Sequence, residues 1–133
     1  MKNLEPLRNV KNYLGIFNFR DLKKIRIKQY PSYFILKRKH IFLAVAIYIN
    51  DIYICDPIGI LESDNILKYF PVLCFDKNIY ITKRLQHDQN LHYICLLFIA
   101  KMSKNKGFDN FINLFSTNLK TNYKIIRKLF KSI

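Results

Sequence analysis

The sequence predicts an α+β fold: one compact domain over residues 1–133, with a mixed central sheet flanked by helices. Three observations predict it. Short runs rich in β-branched and aromatic residues recur between Tyr33 and Thr82, whereas apolar residues at helical spacing dominate the second half. A chain of 133 residues that is 50% hydrophobic suits a single core. It is continuous, without repeats, low-complexity tracts or Gly/Ser linkers, so the two kinds of segment belong to one layered unit.

Taken in order, Leu4, Leu7, Val10 and Leu14 lie at helical spacing, which predicts an N-terminal helix after Glu5-Pro6. Strands follow around Tyr33 to Leu36, Ile41 to Tyr48 and Ile52 to Asp56. Ser63 or Asp64 can cap a short helix through Tyr69, which Pro71 ends. Leu73 to Phe75 and Ile79 to Thr82 read as further strands. A helix from His92 to Met102 would bury Ile94, Leu97 and Phe98 behind the sheet, and Phe108 to Phe115 and Tyr123 to Phe130 would close the domain as helices.

Charge and cysteine content narrow the class. There are 23 Lys plus Arg against 9 Asp plus Glu, a formal charge of +14, so polyanions are expected to bind. The basic residues concentrate in Arg20 to Lys39 and Lys101 to Lys131, with Tyr30, Tyr33 and Tyr123 interleaved. Phosphate contacts without base readout are the simplest expectation, that is, non-specific DNA binding. Three cysteines without framework spacing point to a reducing compartment. Met1-Lys2-Asn3-Leu4-Glu5 opens no signal peptide, and the longest apolar run, Ile41 to Ile49, falls far short of the ~20 residues that span a bilayer. A soluble intracellular protein with no membrane role is expected.

Four polar residues stand in a fixed order at the edges of apolar segments: His40 before Ile41-Phe42-Leu43, Asp56 after Tyr53-Ile54-Cys55, Gln89, and Cys95 before Leu96-Leu97-Phe98. This order and spacing resemble the adenovirus-type cysteine proteases, the adenains, and more distantly the proteases that cleave SUMO-like modifiers. Tyr13-Leu14-Gly15-Ile16-Phe17 looks like an N-terminal segment of those enzymes, and Phe108 to Phe115 with Asn118 and Asn122 looks like their C-terminal helices. The family usually has Trp after the His and Gly after the Cys; here they are Ile41 and Leu96.

The resemblance implies an adenain-like fold and a cysteine endopeptidase that matures virion precursor proteins, cutting after small, Gly-containing sequences. Cys95 would be the nucleophile in the first turn of its helix, where unpaired N–H groups and the helix dipole favour a thiolate. His40 would take the thiol proton and return it to the leaving amine, and Asp56 would orient the imidazole. Gln89 and the Cys95 N–H would donate to the oxyanion. The chemistry would need no cofactor, with DNA stimulatory as in the family. The protein would act as a monomer, in the virion and the host cell interior, the nucleus foremost.

The His40–Asp56 dyad depends on hairpin register. A turn at Asn50-Asp51 sets Asp56 opposite Val45, about 17 Å from His40 and on the other face. A wider loop centred on Ile49 pairs Asp56 with Phe42 and leaves His40 diagonal on the same face, so the wider loop is predicted. Other readings stay open. The chain could be a catalytically silent homologue that binds DNA as a basic virion protein, or a small nucleic-acid-binding protein unrelated to proteases. His92, three residues before Cys95, is an alternative base. His87, His92 and Cys95 lack the fourth ligand of a zinc site, so no metal is expected. Cys55 and Cys74, in apolar runs, read as core thiols.

Overall fold

A computed structural model describes residues 7, 9–59, 76–85, 91–104 and 107–131. Its sheet has five strands in the order β1 to β5: β1 Tyr13–Asn18, β2 Ser32–Arg38, β3 Ile41–Ile47, β4 Asp51–Cys55 and β5 Asn78–Ile81. The β2–β3 and β3–β4 pairs are antiparallel, and β1 and β5 join the edges in parallel. Three helices follow, α1 Leu91–Ser103, α2 Phe108–Ile112 and α3 Leu119–Lys131. The molecule is thus α+β, with a mixed sheet packed against helices.

The sheet separates two apolar clusters. On one face Tyr33, Ile35, Ala44, Ala46 and Cys55 pack with Ile94 to Ala100 of α1, Phe111 and Ile126. On the other, Phe34, Leu36, Leu43, Val45, Ile47, Ile52 and Ile54 pack with Ile25, and half-buried Phe17, Phe19, Leu22 and Ile27 complete the cover. A strand with both faces covered reads as an unbroken apolar run rather than an alternating one. Leu43 to Ile47 of β3 is that run, and each of its residues is buried.

Two sequence expectations change. The helix read through Leu14 gives way at Tyr13, where β1 begins with the alternating burial of a half-covered strand. The partner that decides this is distant, since Tyr13 pairs with Tyr33 and Asn18 with Lys37. A 3-10 helix, Phe19–Lys24, then carries Leu22 onto the second face. The other correction concerns the β3–β4 hairpin, which adopts neither anticipated register. Ile47 pairs with Ile52 and Ala44 with Cys55, Tyr48 N–H donates to Asp51 O at 2.8 Å, and Ile49-Asn50 forms the tip. This register keeps Leu43, Val45 and Ile47 on one face with Ile52 and Ile54, and leaves Ile49 68% exposed. The predicted helix from Ser63 or Asp64 to Tyr69 and the strand Leu73 to Phe75 lie outside the described residues.

Helix α3 shows how a polar side chain joins the parts. Asn118 Oδ1 accepts from the N–H groups of Lys120 and Thr121, capping the first turn. Asn122 is fully buried; its Nδ2 donates to Leu85 O at 2.8 Å and Ser116 O at 2.7 Å, while its Oδ1 accepts from Ser116 N–H at 2.6 Å. One amide therefore holds the segment after β5 against the start of α3.

Candidate functional site

His40 occupies the turn between β2 and β3, beside Lys39 in the left-handed region at φ 55°, and it is exposed to solvent. Asp56 follows the last residue of β4, as its sequence position suggested, and is fully buried. There the chain has left the β3 ladder. Asp56 N–H donates to Thr82 Oγ1 at 2.9 Å, Thr82 N–H to Ile54 O at 3.0 Å, and Leu85 N–H to Pro57 O at 2.8 Å. These bonds tie the ends of β4 and β5 together. Continuing the ladder one step past the Ala44–Cys55 pair sets Asp56 level with Leu43, not Phe42. Gln89 lies outside the described residues.

Cys95 is buried in the core cluster under the sheet, with no exposed surface. Its thiol is pushed well up, first by burial, then by a hydrogen bond with Cys55, and then by the nearby Cys55 and Asp56 charges. Each cause disfavours the thiolate. Nor does the helix start help. In a helix beginning at Leu91, the fifth residue's N–H is committed to the carbonyl four residues earlier. That N–H is not available to an oxyanion. The Tyr13 phenol is also buried without a hydrogen-bond partner among the described residues, and burial, reinforced by Cys95, raises its pKa to about 12.

Among the described residues, the expected site residues sit in different surroundings. Asp56 meets Cys95 and Cys55 in the interior, while the His40 imidazole faces solvent at a hairpin tip. Leu96, where the resemblance leads one to expect Gly, is itself a buried core side chain. His92, the alternative base, sits in the first turn of α1, its ring 5.6 Å from Phe42 and 4.1 Å from Tyr93. Burial first, and Lys37 second, lower its pKa, which favours the neutral imidazole. No group of three or more His, Cys, Asp or Glu side chains that could hold a metal is present among the described residues. No helix among them is long and apolar enough to cross a membrane.

A different site emerges where the parallel β1–β2 pair ends. Asn18, Phe19, Arg20, Lys37, Arg38 and Lys39 line a recess of about 430 Å³. Four of these six residues are cationic, and none is acidic. Asn18 pairs with Lys37, so two segments 19 positions apart bring their basic residues to one rim. The nearby Asp21 carboxylate pairs instead with Lys24 at 3.5 Å. Sequence reasoning located Arg20 to Lys39 as a basic stretch. The recess itself was hidden, because it requires the pairing of β1 with β2.

No protein-family model matches the chain, and no curated protein matches it. Among solved structures it is similar to the central domain of the uncharacterized Lpg1148 protein from Legionella pneumophila, at 13% identity and a TM-score of 0.45, over 98% of this chain and 92% of that one.

Proposed function

We propose that this chain is an adenain-like domain that works as a non-specific nucleic-acid-binding protein rather than through a Cys95 nucleophile. The observation that carries the reading is the recess of Arg20, Lys37, Arg38 and Lys39, which presents four cations and no carboxylate. A formal charge of +14 supplies the long-range field that draws in a polyanion. Neutralising phosphates releases condensed counterions, so binding of this kind falls steeply with salt and reads no sequence. The exposed cations of α3, Lys120, Lys124, Arg127, Lys128 and Lys131, add to the field.

Titration of a labelled duplex by fluorescence anisotropy at several salt concentrations tests this. The combined Arg20→Gln, Lys37→Gln, Arg38→Gln, Lys39→Gln variant is expected to lower the log–log salt slope by about 3 to 4, from roughly 0.9 per lost phosphate contact. An unchanged slope and affinity would move the site elsewhere.

The endopeptidase reading has one specific observation in its favour: His40 precedes β3 and Asp56 follows β4, the strand-edge positions that the resemblance implies. It makes the opposite demand on the thiol. An activated Cys95 would react rapidly with a peptide aldehyde, and His40→Ala would slow the reaction. The proposed reading expects no such labelling of the folded protein.

A further inference from the structure

A second recess has the opposite character. Tyr53, Tyr80, Gly107, Phe108, Asp109 and Asn110 enclose about 430 Å³ between the β4–β5 edge and the start of α2. Among the described residues its lining contains one carboxylate and no Lys or Arg, in a molecule whose formal charge is +14. The Tyr53 and Tyr80 rings stack, 5.0 Å apart and 16° from parallel, because their backbones are partners in the parallel β4–β5 pair. Phe108 closes one side as a tilted wall, 5.2 Å from Tyr53 and 6.3 Å from Tyr80. Tyr80 keeps 42% of its surface exposed and Asp109 is also exposed, so the floor and the carboxylate are reachable from solvent. After burial, the Asp51 and Asp109 carboxylates are among the influences that raise the Tyr53 pKa.

We infer that this recess binds a guanidinium, the arginine side chain of a partner polypeptide. A flat π surface beside a carboxylate matches a flat cation in two ways at once. The guanidinium plane stacks on the aromatic face, and its N–H fork donates to the carboxylate. An ammonium gains the charge attraction but neither the stacking nor the fork. A phosphate meets a carboxylate and no cation among the described lining residues, unlike the basic recess at the end of β1 and β2.

The test is NMR titration of the ¹⁵N-labelled full chain with three capped peptides, Gly-Arg-Gly, Gly-citrulline-Gly and Gly-Lys-Gly. Citrulline keeps the shape of arginine and removes its charge. The Arg peptide is expected to shift the amides of residues 53, 80 and 107–110 saturably, with citrulline at least about tenfold weaker. The Lys peptide should fall between them. Asp109→Asn, at an exposed position, is expected to weaken the Arg peptide by about tenfold while leaving the spectrum of the sheet intact. Equal binding of Arg and citrulline, absence of saturable shifts at these residues, or Lys binding as tightly as Arg would each overturn the assignment.

Discussion

Cys95 is the fifth residue of α1 and has no exposed surface. Its thiol is enclosed by Cys55, Asp56 and apolar neighbours, so its expected chemistry is that of a core side chain. In the folded protein, maleimide should modify Cys95 and Cys55 far more slowly than in denaturant, as mass spectrometry of the labelled peptides would show. Rapid native labelling of Cys95 would restore the nucleophile. The sign of the pH effect follows from the same burial. The folded-state pKa of Cys95 lies above its unfolded value, so the stabilisation is present below about pH 8.5 and is lost as pH rises past it. Tyr13, raised to about 12, adds a second loss beginning near pH 10. Urea midpoints measured from pH 7 to 10.5 should fall, and Cys95→Ala should remove the earlier component. His92 acts at the acid end: its folded pKa is lowered, so its contribution is lost below about pH 6.5. Asn122→Ala strands the Leu85 and Ser116 carbonyls and the Ser116 N–H that its amide now satisfies, and is expected to cost about 2–4 kcal/mol in chemical denaturation.

Strands and helices differ in how much of each was legible. β2, β3, β4 and α1 match their apolar runs to within a residue or two, because burial on one or both faces leaves a periodicity that can be read locally. β1 was not legible, since Leu4, Leu7, Val10 and Leu14 mimic a helical stripe. What makes Tyr13–Asn18 a strand is a parallel partner some 20 residues away. Gly15 is the local device that permits it. It sits at φ 113° where the β1–β2 register is irregular between Tyr13 and Ile16, a backbone that L side chains rarely adopt. A Cβ at Gly15 would meet nothing within 4 Å, so Gly15→Ala isolates the backbone strain, and about 1 kcal/mol of destabilisation is expected by urea unfolding. Hydrogen exchange offers a companion check: β3, paired on both sides and covered on both faces, should hold the slowest amides, and the edge strands β1 and β5 faster ones.

Across the molecule, the +14 charge works against compactness and for association with polyanions. Screening should therefore raise the Tm modestly between about 0.02 and 0.3 M NaCl, while weakening nucleic-acid binding over the same range. Opposite salt responses in one protein would tie both effects to the same excess of cations, and a Tm indifferent to salt would argue that the charges are already locally balanced. That excess is unevenly placed, with a basic recess at the end of β1 and β2 and a carboxylate-bearing aromatic recess beside β5.

The amino-acid order was enough to establish the class of fold, the central strands, the long helix behind them and the large positive charge, because each depends on local periodicity or on a sum over residues. Whether His40, Asp56 and Cys95 share a site could not be read that way. Proximity and proton affinity depend on hairpin register, on the helical turn a residue occupies and on what covers it. All three are settled by contacts between distant parts of the chain, which here bury the Cys95 thiol and leave His40 exposed.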